Sequence, residues 1–354
     1  MRKREYYIDG IKFICIILII ITHTFPKTIV NDSLSNIIDN PFGIFGTAMF
    51  FMLSGFLMAR GYKEKIASDE KRIPFGNYLF NRIKKIYPLY FVTNLICLIL
   101  LLLNDPSLVS IKGCFTTFLM LRGGSIADSH PFNFPTWFIG SLLVCYSIYY
   151  VLVFITIGKK RSNFYYHAVT VLLIIYGYFL LKNHFNFPFM YFHTGEGIFN
   201  FFIGVLLNEI FDEIKKRHTI IIGIIFSLTL ILILTCDSIF IKDNLRAIVG
   251  LIICPSIIIL GHNVKILNNI LSKIGLFSQN ISMPLFFWHI PIYRIFEYYV
   301  FQYLYKLSPL AQWLCYLGTL FLVCIISNYI TNKTTKFMEK MKRSKNEQTK
   351  LSPV

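Results

Sequence analysis

Charge is what this chain has least of, and acid above all. Only 18 of its 354 residues are Asp or Glu, and all charged types together make up 15%. Soluble domains carry about 25% charged residues, so a water-facing globule is excluded. The sequence has no phosphate-cradling Gly-rich loop, no C-x-x-C pair, no H-E-x-x-H and no G-x-S-x-G, which removes the usual soluble-enzyme readings. Scattered histidines without ligand spacing give no metal site. A disulfide scaffold is excluded as well, because six of the eight Cys (15, 97, 145, 254, 315, 324) lie inside apolar runs, where Cys acts as a small apolar residue. Cys114 and Cys236 fall near one face, and their spacing alone does not favour a bridge. No small-x-small cleavage site follows the first apolar run, where Thr24-Phe25-Pro26-Lys27 stands instead, so a retained first helix is expected. No internal repeat is visible.

What the chain has instead is 55% hydrophobic residues gathered into blocks with basic clusters between them. Ten blocks are long enough to cross a hydrocarbon core of about 30 Å at about 1.5 Å per residue. They are Ile8–Phe25, Gly43–Ala59, Ile86–Leu103, Trp137–Ile157, Tyr166–Leu181, Gly197–Ile210, Thr219–Thr235, Leu245–Gly261, Ile281–Tyr303 and Leu310–Ile330. A shorter run, Ile111–Leu121, reads as interfacial or re-entrant. With ten spans and the N-terminus inside, 27 of the 35 Lys and Arg fall on the inner side and 8 on the outer. That bias fits the positive-inside rule, whereas eleven spans would put the later clusters outside. The fold expected is therefore an all-α integral membrane protein of about ten helices with both termini cytoplasmic. Residues 1–332 form the membrane domain and 333–354 a basic tail. The net charge of +17 lies at block ends, so anionic lipid and not nucleic acid is the expected partner.

Ionisable groups inside a membrane are costly and mark candidate sites. In the first block, Asp9, Lys12 and His23 share a helix face about 60° wide, with Lys12 and His23 about 16 Å apart along the axis. An inner cation and an outer imidazole on one stripe suit a long ligand lying along the helix. The stripe is equally consistent with Lys12 snorkelling to headgroups while His23 bonds a carbonyl. In Phe50–Leu57, Ser54 and Gly55 allow close helix approach, which is simple packing. Arg82 and Lys85 are i,i+3 neighbours at the end of the most basic loop and could grip a phosphate, although anionic lipid accounts for the loop's other cations. On the outer side, Ser129–Trp137 and Tyr191–Glu196 combine aromatics with polar groups, which suits carbohydrate stacking or a plain aromatic belt. His289 is either a second functional group or a satisfied interhelical hydrogen-bonder. Arg294 and Glu297 are expected to form an i,i+3 ion pair.

Taken in order, these blocks resemble the acyltransferase-3 family of integral-membrane acyltransferases. The residues carrying the likeness are Tyr7-Ile8-Asp9-Gly10-Ile11-Lys12 with the Lys12-x10-His23 spacing, Phe50–Phe56 and Arg82–Tyr90. Pro135-Thr136-Trp137-Phe138, Phe202-Ile203-Gly204 and Ile281–Pro291 complete it. The resemblance implies transfer of an acyl group, usually acetyl, from cytoplasmic acyl-coenzyme A to a hydroxyl of a cell-surface polysaccharide or its lipid-linked precursor. Acyl-coenzyme A is then a co-substrate, with no permanently bound cofactor. His23 matches the family's essential histidine, as general base or as the acyl-carrying nucleophile, and Lys12, Arg82 and Lys85, with Asp9 beside them, the residues near the coenzyme. Lys12 and Lys85 stand where the family often has Arg, which keeps the charge but loses the bidentate fork. Trp137, Glu196 and His289 are the candidate acceptor contacts. The expected location is the cell membrane, with a second copy or an envelope-biosynthesis protein as further candidate partners. No esterase-like domain accompanies the bundle, so it is expected to act alone or pass its acyl group to a separate protein. The rival reading is a non-enzymatic exporter of a glycan or amphipathic envelope component.

Overall fold

The computed structural model describes residues 4–29, 41–68, 70, 72–124, 132–158, 163–236 and 238–351. Among them the chain is helical, with no strand. In order the helices are α1 (Tyr6–Thr24), α2 (Gly43–Ala67), α3 (Phe75–Asn104), the short α4 (Ile111–Phe118), α5 (Trp137–Thr156), α6 (Asn163–Asn183) and α7 (Phe192–Phe211). They continue with α8 (Lys216–Thr235), α9 (Ile239–Ile248), α10 (Cys254–Asn263), α11 (Lys265–Ser278), α12 (Ser282–Ile295) and α13 (Pro309–Leu351). A π-helical turn, Val249–Ile253, joins α9 to α10, and another, Phe296–Val300, extends α12. This is an all-α integral membrane protein.

All ten expected spans fall on helices, and eight helical stretches among the described residues are long and apolar enough to cross a bilayer. The two expected spans outside those eight lie on α7 and α12, for different reasons. Helix α7 carries Glu196, Asn200, Asn208 and Glu209, but it runs through the middle of the bundle against α2, α5 and α6, so protein and not lipid meets its polar side chains. Helix α12 is 14 residues of regular helix that widens into the π turn before it is long enough. That widening also explains why the expected Arg294–Glu297 pair does not form. The i,i+3 rule assumes 3.6 residues per turn, and Glu297 sits in the π turn and is exposed, with no ion pair to Arg294. Cys114 and Cys236 are both free.

Lipid tails are as apolar as Leu, so helices in a membrane associate through close packing. Small residues set the closest approaches. A Cβ on Gly55 of α2 would lie 1.9 Å from the Phe201 carbonyl oxygen of α7, and one on Gly204 of α7 would lie 2.0 Å from the Met52 carbonyl oxygen of α2. The Ser54-Gly55 segment is thus the packing contact that its composition suggests. Helix α11 is too short in its apolar run to be expected as a span, yet it lies against α1 with similar intimacy. A Cβ on Gly10 would meet the Leu271 carbonyl oxygen at 2.0 Å, and one on Gly275 the Tyr6 carbonyl oxygen at 1.9 Å.

The bundle has two chemically different ends. At one, the start of α1 and the far ends of α2 and α7 meet: Arg60 pairs with Glu5 at 3.2 Å, and Lys63 with Glu209 at 2.5 Å. At the other, the C-terminal end of α1 meets the N-terminal ends of α2, α5 and α7 around a cavity.

Candidate active site

The cavity holds about 190 Å³, and His23, Thr47, Trp137, His193, Glu196 and Arg246 line it together with a wall of Phe side chains. Its geometry begins with how α1 stops. Pro26 pushes Phe25 into extended backbone (φ −69°, ψ 132°), so the helix ends one residue after His23 and leaves that ring at the rim. The Trp313 indole donates to Thr24 Oγ1 at 3.0 Å, tying the helix end to α13.

Opposite stands His289, fully buried, on α12. His289 Nδ1 lies 2.8 Å from the Phe286 carbonyl oxygen, an acceptor, so that nitrogen carries the hydrogen. His289 Nε2 then presents a lone pair, and it lies 3.2 Å from His23 Nδ1. An imidazolium here would be a buried charge with no acid paired to it, so the neutral arrangement is the stable one. The hydrogen in the contact therefore belongs to His23 Nδ1, which donates to His289. The consequence is on the far side of the ring: His23 Nε2 is left bare at the cavity, without a hydrogen bond among the described residues. The two rings are within 11° of parallel, and Phe134 packs edge-on against His23 at 4.4 Å between centroids.

A proline sets the support for this pair. Pro291 within α12 has no N–H, which frees the Phe287 carbonyl four residues back. Asn133 Nδ2 donates to that carbonyl at 2.9 Å, and Thr136 Oγ1 donates to the Asn133 carbonyl at 2.6 Å, so the segment bearing Phe134 is fastened to the helix bearing His289. Replacing Asn133 with Ala is expected to leave a buried carbonyl unsatisfied and to cost about 1–3 kcal/mol. Thermal unfolding of the purified protein in detergent should show a lowered midpoint; an unchanged midpoint would mean this bond does not hold the segment.

The same cavity is lined by Glu196, which is 2% exposed and accepts from Arg246 Nη1 at 2.5 Å. The Arg246 guanidinium also lies over the Phe192 ring at 4.7 Å. Trp137 stacks on His193, with centroids 3.9 Å apart and planes 22° apart. Behind Trp137 a loop is pressed onto α5: Ser141 Oγ donates to the Gly123 carbonyl at 2.7 Å, and Thr194 Oγ1 donates to the Gly124 carbonyl at 3.0 Å. Gly123 has φ +75°, and a Cβ there would come within 2.6 Å of the Trp137 carbonyl oxygen, so glycine is required on both counts.

A family model described as an acyltransferase domain matches residues 5–329. The chain belongs to the acyltransferase-3 family. No curated protein and no solved structure matches it. It is thus a multi-pass membrane acyltransferase.

The other sequence-predicted residues of this acyltransferase lie at the far end of the bundle. Asp9 accepts from Arg4 Nε at 2.7 Å and lies 3.8 Å from Lys12 Nζ, so the three form one ionic group at the start of α1. Arg82 lies flat on Tyr62 at 3.9 Å, and its Nε and Nη2 are buried without a hydrogen-bond partner among the described residues. Lys85, one turn on, is exposed. The structure brings His23, Trp137 and Glu196 to one cavity, sets the buried His289 against His23 outside its lining, and keeps Lys12, Asp9, Arg82 and Lys85 apart from it. Residues 129–131 of the outer aromatic segment lie outside the described residues. Sequence reasoning counted Arg246 only as an outer-face charge. The signal that could have found it is a cation at the start of an apolar block, which needs an acid and has Glu196 within the membrane region to pair with.

Proposed function

We propose that this protein moves an acyl group, in the first instance acetyl, from cytoplasmic acyl-coenzyme A to a hydroxyl of a cell-surface polysaccharide or its lipid-linked precursor, across the cell membrane. The observation that carries this reading is the bare Nε2 of His23 at a cavity whose other walls are aromatic and polar. Imidazole with one nitrogen donating and the other free is the arrangement needed to remove a hydroxyl proton. The acceptor oxygen loses its proton to His23 Nε2 and attacks the thioester carbonyl. The carbon–sulfur bond breaks, and the departing thiolate takes the proton back. His289 acts in this scheme on His23 and not on the acceptor, because both of its ring nitrogens are already engaged.

At the other end, the unpartnered buried donors of Arg82 offer an anion two unsatisfied N–H groups, which suits a coenzyme phosphate. Lys12, held by Asp9, and Lys85 add positive charge on the same side of the bundle. The distance of about 16 Å from Lys12 to His23 is then spanned by the coenzyme's arm, and coenzyme A itself need not cross.

The test supplies acetyl-labelled acetyl-coenzyme A to inside-out membrane vesicles that contain or lack the protein. Label in the envelope glycan only when the protein is present is the expected outcome. Glycan movement without label would favour the exporter reading.

A further inference from the structure

We infer that the Glu196–Arg246 pair selects the acceptor: Glu196 accepts a hydrogen bond from a second hydroxyl of a single neutral pyranose ring whose reacting hydroxyl faces His23, and Arg246 holds that carboxylate in place. The inference rests on the acyltransferase reading above and adds to it the class of ring and the residue that aims it.

The size of the site comes first. The cavity of about 190 Å³ is partly open to the outside. That has room for a sugar ring, and the remainder of a glycan leads out through the opening. Chemistry then orders the ring within the cavity. The stacked Trp137 and His193 offer a flat wall for the apolar face of a pyranose. His23 Nε2 takes the reacting hydroxyl, and Glu196, which lines the same cavity, is left to meet a second one.

Glu196 is 2% exposed and among the described residues its side chain bonds only to Arg246, so the carboxylate is charge-balanced while still holding lone pairs to spare. An ionised carboxylate can only accept, which means it reads donors, and the neutral donors of a sugar are its hydroxyls. A uronic acid ring would place a second anion against Glu196 and is disfavoured. Arg246 is the positioning residue. It lies at the last turn of α9, immediately before the π turn, and its plane rests on Phe192, so two contacts fix the guanidinium that fixes the carboxylate. One turn along α7, Asn200 donates from Nδ2 to the Glu196 carbonyl at 3.0 Å, holding the backbone under the same side chain.

The experiment uses the full chain in detergent or vesicles with acetyl-labelled acetyl-coenzyme A. The acceptors are methyl glycosides of glucose, galactose and mannose, their monodeoxy derivatives, and methyl glucuronoside. The wild type should accept at least one neutral glycoside and disfavour the uronoside. It should lose about 10- to 150-fold in kcat/KM when one particular non-reacting hydroxyl is removed, the usual weight of a hydrogen bond to a charged group. In Glu196→Ala that deoxy penalty should collapse to near unity, while Arg246→Lys should keep it and Arg246→Ala should reduce it. A merely structural role for the pair would lower all acceptors together and leave the deoxy penalty intact, which would overturn the inference. Label entering envelope glycan but no small neutral glycoside would overturn the single-ring site alone. Label entering neither would overturn the reading beneath it, that acetyl passes from acetyl-coenzyme A to a glycan.

Discussion

Replacing His23 with Ala is expected to reduce acyl transfer to background in vesicles that still contain folded protein at wild-type levels. General acid–base groups contribute about 10²–10⁴-fold, and His23 is the imidazole whose Nδ1 is committed to His289 while its Nε2 has no hydrogen bond among the described residues. The informative comparison is with His289. Its Nε2 accepts from His23 Nδ1, and that bond is what leaves the lone pair of His23 on the cavity side. His289→Ala removes the acceptor, so His23 is free to turn or to adopt the other tautomer, and kcat should fall by a similar order with KM for the acyl donor unchanged. In His289→Gln an amide oxygen can take the same bond, and part of the lost rate should return. The double variant His23→Ala/His289→Ala should be no worse than His23→Ala, because the two residues act as one unit. If His289→Ala retains full activity, or if Gln is no better than Ala, the pair is not a functional one.

The second large effect concerns assembly. Gly55→Ala would put a methyl carbon 1.9 Å from the Phe201 carbonyl oxygen, and Gly204→Ala one at 2.0 Å from the Met52 carbonyl oxygen. These are backbone atoms in packed helices, so relief requires α2 and α7 to move apart. Overpacking of this kind costs about 1–3 kcal/mol and occasionally more. Each variant is expected to lower the unfolding temperature in detergent sharply, and the double variant should cost less than the two singles combined, since one separation of the helices relieves both clashes. Activity should fall as well, because α2 and α7 carry Thr47 and Glu196, which both line the cavity. Gly61 and Gly318 have nothing within 4 Å of an added Cβ and serve as controls. At those positions Ala, the better helix former by about 1 kcal/mol, should be neutral or slightly stabilising. Equal behaviour of Gly55→Ala and Gly61→Ala would contradict the close α2–α7 contact.

Much of this protein is local and was therefore legible from composition and periodicity. Apolar block length and the distribution of Lys and Arg gave a many-helix membrane protein, and every block expected to span became a helix. The 3.6-residue period placed Asp9, Lys12 and His23 on one stripe, and that stripe in the structure does run from an ionic group at one end of α1 to the cavity at the other. Ser54-Gly55 read correctly as a packing contact because a missing Cβ has the same meaning wherever a helix partner approaches.

The tertiary structure alone decided which distant residues meet. His23 and His289 are 266 positions apart, and nothing in the periodicity of α1 or α12 says that their rings face each other. Arg246 pairs with Glu196 across 50 positions, and Asn133 takes a carbonyl that Pro291 released on another helix. Helix α11 carries too little apolar length to register as a span, yet it packs against α1 where Gly10 and Gly275 remove the obstacle. The Arg294–Glu297 expectation failed for the complementary reason: a π turn, which hydropathy does not register, changed the local spacing. Hydropathy and periodicity are sums over neighbouring residues, so they fix where helices form and which side of each is polar. The tautomer of the histidine pair and the placing of the Glu196 carboxylate at the cavity depend on the relative rotation of whole helices, and side-chain packing between them sets that rotation.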